Sequence, residues 1–424
     1  SGGAGVQRWL KFVKYLRDFG WEPIVYTPSN PEFPENDTSL LKDVPTGLTI
    51  IQRPIWEPYG FYKRFVGKGS KEKIAAAFLA EEKRNPLTEK ISVWIRGNLF
   101  FPDARRFWIR PSIKFLLQYL RKNPVDIIIS TGPPHSMHMI AKGIVEKTGL
   151  PWIADFRDPW TNIDFYKDLH LTKWGDRKHR NMEQSVIRNA NSVITISKSM
   201  AEEFSTLFNR KYEVITNGFD SEDVLDNKEI NIDQQFSIAH IGSLVSSRNP
   251  ILLWSVLKEI ISEDDHFKND LKITLAGRID FSVILSLTEA GLDGYVEKIE
   301  YLPHNEVVKV QQKSQVLLLL INNTPNSKSI LTGKFFEYLS AQRPILCIGP
   351  TDGDAAAILY DTKAGLISGF KDRTSLKKNI LEYYRQFKEG NLAINSQNIE
   401  QFSRKALTGK LAELMEEGIK MKNV

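Results

Sequence analysis

The stretch VDIIISTGPPHSMHMIAKGIVEKTGLPWIADF, residues 125–156, decides the fold. Val125 to Ser130 is a short run dominated by isoleucine, the composition of a parallel strand covered on both faces. TGPPHS, residues 131–136, is a loop of turn formers, and Met137 to Lys147 reads as a helix. Trp152 to Phe156 is a second strand. Two strands joined by a helix form a βαβ unit, and repetition of that unit builds a parallel sheet.

The rhythm continues outward in both directions. Downstream come a helix near Met182 to Arg188, a strand Ser192 to Ile196, a helix Ser199 to Phe208 and a strand Tyr212 to Thr216. Upstream, Val6, Trp9, Leu10, Val13 and Leu16 recur at helical spacing and Gly20 supplies a stop. Ile24 to Tyr26 and Leu48 to Gln52 read as strands, followed by a long irregular section and a helix Ser112 to Arg121. Asn217 to Gln235 is polar and acidic, without apolar periodicity, and reads as a linker. Beyond it the alternation restarts, with strands Ser237 to Ile241, Leu271 to Leu275, Val296 to Tyr301, Val316 to Leu320, Ile345 to Ile348 and Gly365 to Ile367. A helix Ile251 to Ile261 follows the first of these, and a last helix, about Ile399 to Met421, has no strand after it and is expected to pack back across the hinge. The fold class is therefore α/β, with two Rossmann-like doubly wound parallel-sheet domains, 1–218 and 236–398, and a C-terminal helix, 399–424. Ligands of such sheets sit at the C-terminal ends of the strands, so the site is expected in a central cleft between the lobes.

Composition narrows the class further. At 424 residues, 42% hydrophobic and 25% charged, the chain fits two globular domains rather than a disordered or fibrous protein. A single cysteine, Cys347, excludes an internal disulfide and any multi-cysteine metal site, which points to a reducing, cytoplasmic setting. The apolar run Val316 to Ile321 is far short of the roughly 20 residues of a membrane-spanning helix. Charge is uneven: residues 61–122 hold 15 Lys/Arg against 5 Asp/Glu within a chain of net charge +6. The same segment has 11 aromatics, among them Phe61, Tyr62, Phe65, Trp94, Phe100, Phe101, Phe107 and Trp108. Basic residues mixed with aromatics suit an anionic membrane surface, whereas the plainer reading is a solvated helical insertion whose aromatics are core. No nucleic-acid-binding motif accompanies them, so no nucleic-acid partner is expected.

Four loops stand at expected strand-to-helix junctions: SGGAG at 1–5, GPPHS at 132–136, IGSLVSSR at 241–248 and the start of TGKFFEYLSAQRPIL at 332–346. Glycine-rich turns that open helices present backbone N–H groups to an anion, and Arg248 and Lys334 add fixed charge, so a diphosphate is a natural guest. SGGAG is not a GxGxxG fingerprint and no Walker sequence exists, which removes the dinucleotide and P-loop readings. Asp352-Gly353-Asp354 spells a DxD, but its place between a strand and Ala355 to Tyr360 suits a helix cap better than a metal. Asp155 and Asp158 are read as partners of Arg157 or as loop-shaping residues, and Trp152, Trp160 and Trp174 as core.

In combination, SGGAGVQRWLKF, TGPPHS, ADFRDPW, TISKSM, VITNGFD, HIGSL and GKFFEYLSAQRPIL resemble the retaining GT-B glycosyltransferases of family four, particularly bacterial enzymes of surface-polysaccharide and lipopolysaccharide assembly. In that family a strand leads into the glycine-rich loop; its absence here implies a truncated N-terminus. The resemblance implies a metal-independent hexosyltransferase without a cofactor, taking a nucleoside diphosphate sugar as donor. It places Gly2 and Gly3 beside the donor phosphates and His135 near the donor sugar. Arg248 and Lys334 become the cations that stabilise the departing diphosphate, and Glu337 the carboxylate that receives the ribose hydroxyls. Gly242, Ser243, Thr332 and Gly333 then belong to the donor loops, and Arg278 and Leu302 lie against the base. The plainer readings are a capping or packing histidine for His135, solvent-facing cations for Arg248 and Lys334, and a helix-surface carboxylate for Glu337. His138, His170, His179, His266 and His304 read as structural.

One departure is plain. The family's two glutamates are separated by seven residues, yet eight positions before Glu337 stands Ser329. The reading is a peripheral cytoplasmic enzyme that transfers a sugar to a hydroxyl of a lipid-linked or polysaccharide acceptor. Its rivals are a nucleotide-sugar epimerase or hydrolase of the same fold and a non-catalytic sugar-nucleotide-binding protein.

Overall fold

A computed structural model describes residues 4–30, 39–56, 86–163, 165–223, 231–300, 302–392 and 396–422. The chain divides into two compact units, one made of residues 1–216 with 407–424, the other of 217–406.

The first unit opens with helix α1 (Ala4–Leu16), a 3-10 turn and the parallel pair β1 (Ile24–Pro28) and β2 (Thr49–Arg53). Helices α2 (Pro86–Leu99) and α3 (Arg106–Leu120) follow. The section expected to be irregular therefore contains a helix, and α3 starts before Ser112 and runs through Pro111. Residues 57–85, which include Phe61, Tyr62 and Phe65, lie outside the described residues, as do Gly2 and Gly3. Then come β3 (Ile128–Gly132), α4 (Ser136–Thr148), β4 (Trp152–Phe156), α5 (Lys173–Asn189), β5 (Ser192–Thr195), α6 (Lys198–Leu207) and the short β6 (Glu213–Val214). These four strands form a parallel sheet in the order β3-β4-β5-β6. Every residue of β4 and β5 is buried, which suits their largely apolar composition and leaves Asp155 as a buried charge.

The second unit is a six-stranded parallel sheet. Its elements are β7 (Phe236–Ile241), α7 (Ile251–Glu263), α8 (Asp265–Asp270), β8 (Leu271–Ala276), α9 (Phe281–Glu289), β9 (Val296–Ile299), α10 (His304–Lys313), β10 (Val316–Leu320), α11 (Gly333–Ser340), β11 (Ile345–Ile348), α12 (Asp354–Thr362), β12 (Gly365–Ser368) and α13 (Arg373–Lys388). The spatial order β12-β11-β10-β7-β8-β9 runs outward from β7 to β9 and then returns to its other side. The reversal lies between β7 and β10, the place where doubly wound sheets bind ligands. Two apolar layers flank the sheet, one built on Trp254, Leu257 and Phe267, the other on Phe335, Phe336 and Leu339.

The last segment is a 3-10 turn, Ile399–Phe402, followed by helix α14 (Arg404–Lys422). Leu407, Leu411, Leu414 and Met415 pack with Phe12, Leu16, Ile153, Ile194 and Ile215. The C-terminal helix thus completes the core of the first unit.

Three local expectations need correction. Asp155 is paired with Arg8 at 2.9 Å, not with Arg157, whose guanidinium bonds Thr131 Oγ1 and the Pro133 carbonyl. Trp174 is exposed, unlike Trp152 and Trp160, because it stands in the first turn of α5. Asp352 does not cap α12 but pairs with Lys328; Gly353 holds the cap position, and Asp354 stands in the first turn.

Candidate functional site

The second unit gathers residues from three neighbouring loops. After β7 the chain turns at Gly242, where φ is +113°, and after β8 it turns at Gly277, where φ is +117°. Only glycine takes such angles without strain. The two turns touch: a Cβ on Gly277 would lie 2.9 Å from the Gly242 carbonyl, and the Leu244 N–H donates to the Arg278 carbonyl at 2.9 Å. Gly242 is also needed for room, since a Cβ there would stand 2.7 Å from Lys334 Nζ.

Lys334 sits in the first turn of α11 and reaches back to the end of β7, where its Nζ is 3.3 Å from His240 Nε2. His240 is buried, and its Nδ1 is 3.1 Å from the Leu318 carbonyl on β10. A carbonyl accepts, so Nδ1 carries the proton and Nε2 offers its lone pair to the lysine. His240 is held neutral by burial and by the charge of Lys334. Burial, followed by the charge of Arg248, lowers Lys334 to about 7 against the pull of Glu337. Two cations share one small volume, and both gain from an arriving anion.

Arg248 donates from Nη2 to the Ser243 carbonyl at 3.1 Å, while its Nε is buried without a partner among the described residues. Glu337 lies one turn along α11 from Lys334 and accepts from Gln311 Nε2 at 3.3 Å. Between them on the helix, Phe335 and Phe336 are buried, so the apolar setting of FFEYL reflects packing. The Tyr338 hydroxyl accepts the Ile241 N–H at 3.0 Å and ties the helix to the end of β7. Thr332 is the exposed N-cap of α11 and makes no side-chain cap, leaving the N–H groups of Gly333 and Lys334 at an open helix start. Arg278 is exposed on the loop after β8, and Leu302 is half-buried beyond β9. Ser329 Oγ donates to the Asn326 carbonyl at 2.9 Å, closing a local turn.

In the first unit, His135 opens α4 without capping it; the Asp103 carboxylate accepts the Ser136 N–H at 2.8 Å instead. The His135 ring is buried and stacks face to face on Trp160, centroids 4.4 Å apart and planes parallel. Trp160 is fixed in turn, its Nε1 donating to His179 Nδ1 at 3.2 Å and its backbone N–H to Glu183 at 3.0 Å. Burial, with the charges of Arg157 and the neighbouring histidines, pushes His135 far below the usual histidine range, so the ring is neutral. Asp155 collects Arg8, Trp9 Nε1 at 2.7 Å and Thr131 Oγ1 at 2.8 Å. Burial alone would raise its carboxyl, but Arg8 and these bonds outweigh that and the net shift is downward.

The structure thus brings Gly242, Ser243, Arg248, Arg278, Thr332, Gly333, Lys334 and Glu337 to one end of one sheet. His240, and the stacking of Trp160 on His135, were not anticipated from the sequence. The segment HIGSL was in view, but nothing in it announces that its histidine faces a lysine 94 residues later.

A chain of two such units has the fold of the GT-B glycosyltransferases. Residues 71–223 match the family described as Glycosyltransferase Family 4. Among solved structures, sucrose-phosphate synthase from Thermosynechococcus elongatus has a TM-score of 0.62 at 12% identity, covering 98% of this chain and 94% of that one. Anabaena Alr3699/HepE in complex with UDP-glucose has a TM-score of 0.61 at 14% identity, covering 98% and 96%. WaaG, a glycosyltransferase involved in lipopolysaccharide biosynthesis, has a TM-score of 0.55 at 12% identity over 98% and 96%. No curated protein matches the chain. Residues 71–223 thus resemble that family, and the chain as a whole shares the fold of the GT-B glycosyltransferases.

Proposed function

We propose that the protein is a retaining glycosyltransferase that moves a sugar from a nucleoside diphosphate sugar to a hydroxyl of a lipid-linked or polysaccharide acceptor. The observation that carries this reading is the cation pair at the switch point, Lys334 and Arg248, beside the open start of α11 and one helical turn from Glu337. Charge builds on the leaving diphosphate as the glycosidic bond breaks, and cations already in place lower that barrier without reorganising. Glu337, acceptor-only when ionised, suits two ribose hydroxyls. Neutral His135, flat against Trp160, offers a hydrogen bond to the donor sugar without adding charge. The loops at Arg278 and Leu302 receive the base.

Retention needs no enzymic nucleophile in this reading: the acceptor hydroxyl attacks from the face the diphosphate leaves, and its proton goes to a phosphate oxygen. No metal ion or cofactor takes part. The complex of Anabaena HepE with UDP-glucose and the part of WaaG in lipopolysaccharide biosynthesis support the donor and acceptor classes.

The basic aromatic region extends the proposal to a membrane surface. Phe101 and Trp108 are core, but Trp56, Trp94, Leu99 and Phe107 are exposed, with Trp56 and Phe100 packed edge-on to Phe107 and Arg106 over its ring. Arg96, Arg106, Arg110 and Lys114 are exposed in the same two helices. Among the described residues no helix is long and apolar enough to cross a membrane. We place the enzyme on the cytoplasmic face of an anionic bilayer. The test of transfer is acceptor-dependent release of nucleoside diphosphate from a panel of donors: release that needs the acceptor supports it, and release into water alone contradicts it.

A further inference from the structure

Two buried ring nitrogens in the first unit have no partner among the described residues, Nδ1 of His135 and Nε2 of His138. They are close. A Cβ built on Gly132 would lie 2.9 Å from the first and 2.6 Å from the second, so both face the same side of that glycine. Such groups, sealed from solvent, carry a full desolvation cost unless something bonds them.

The far side of His138 sets its tautomer. Trp152 Nε1, which can only donate, bonds Ser130 Oγ at 2.8 Å, and Ser130 Oγ is 2.8 Å from His138 Nδ1. The serine's single hydrogen has no other partner among the described residues, so it is donated to Nδ1, and the proton of His138 stands on Nε2. That N–H faces the histidine whose Nδ1 lacks a donor.

We infer that His138 is a positioning residue for His135: one water molecule beside Gly132 accepts from His138 Nε2 and donates to His135 Nδ1, which keeps the His135 proton on Nε2. A polar niche with two such partners is what an ordered buried water requires. The relay runs from Trp152 through Ser130, His138 and the water to His135. It fixes the ring that Trp160 has already flattened, and presents an N–H donor rather than a lone pair to the ligand. Its catalytic consequence rests on His135 meeting the donor sugar, as proposed above. Glycine at 132 belongs to the same device, because a methyl group would intrude between the two nitrogens.

The experiment uses the full chain labelled with imidazole-15N histidine, with His135 assigned by its loss in His135→Gln. Long-range 1H–15N correlation spectra at pH 7 are expected to show His135 protonated on Nε2. In His138→Phe the spectrum shifts toward a mixture of tautomers, kcat falls at least tenfold and the donor KM stays within twofold. His138→Gln, whose amide N–H stands in place of Nε2–H, keeps both the tautomer and most of kcat. Gly132→Ala behaves like His138→Phe. A wild-type His135 protonated on Nδ1, or a tautomer unchanged in both His138→Phe and Gly132→Ala, overturns the inference. If the tautomers follow this pattern while His135→Gln keeps full activity, the relay stands and the role of His135 at the donor sugar falls.

Discussion

Lys334 carries the sharpest pH prediction. With a value of about 7 in the free protein, its amine is largely neutral above pH 7, and an arriving diphosphate makes it charged. Binding therefore takes up a proton, and affinity for a nucleotide-sugar falls as pH rises through 7, by up to about tenfold per unit. A nucleotide-sugar is the right probe because its diphosphate does not titrate there. Calorimetry in buffers of different ionisation enthalpy at pH 8 should show uptake approaching one proton, and Lys334→Arg should abolish it. For the protein alone the sign is reversed: the unfolded lysine binds its proton up to its ordinary value of 10.5, so between 7 and 10.5 stability rises with pH. At this scale much was legible. The gathering of Arg248 and Lys334 at one end of the sheet was legible because both follow glycine turns, whereas Glu337 was singled out through the family resemblance. His240 was not legible, since it matters through Lys334, 94 residues later, and the Arg8 partner of Asp155 was hidden behind the nearer Arg157.

At the scale of elements, the glycine turns and the Asp155 cluster hold the sites. Gly242→Ala puts a methyl group on a backbone at φ +113° and against Lys334 Nζ. It is expected to cost about 1–3 kcal/mol of stability by urea unfolding and to weaken nucleotide binding more than tenfold. Asp155 joins α1 to the end of β4 through Arg8, and Arg8 also donates to the carbonyls of Ile215 and Thr216. Removing one member of a buried pair strands the other, so Asp155→Ala should cost about 3–5 kcal/mol, and Arg8→Met in that background should recover part of it. Short runs rich in Val, Ile and Leu, most nearly continuous in β10 and β11, made the strands of the second unit readable almost to the residue. Helix α2 escaped because PLTEKISVWIRGNL leaves Ile91, Trp94 and Leu99 exposed and so lacks a clean apolar stripe. Helix α5 was recognised only in its second half, since its first turns are polar and depend on the Thr172 cap, which accepts the Gly175 N–H.

On the scale of the whole molecule, the chain leaves the first unit after Thr216 and returns at Leu407. Leu411 is fully buried in the first unit's core, so Leu411→Ala should destabilise that unit by about 2–5 kcal/mol while leaving nucleotide binding by the second unit unchanged. The exposed cations of α2 and α3 should matter only at a surface: replacing Arg96, Arg106, Arg110 and Lys114 by Gln is expected to reduce sedimentation with anionic vesicles several-fold, with no change in nucleotide binding. Equal vesicle binding by that variant would contradict the membrane reading. The central claim is a diphosphate-sugar site at the switch point of the second unit's sheet. Its most direct test is thermal stabilisation by a panel of nucleoside diphosphates and their sugars, for the wild type and for Glu337→Ala. A shift selective for one base, lost or much reduced in Glu337→Ala, is expected; no shift with any nucleotide, or one that the substitution leaves intact, would rule out a diphosphate-sugar site there.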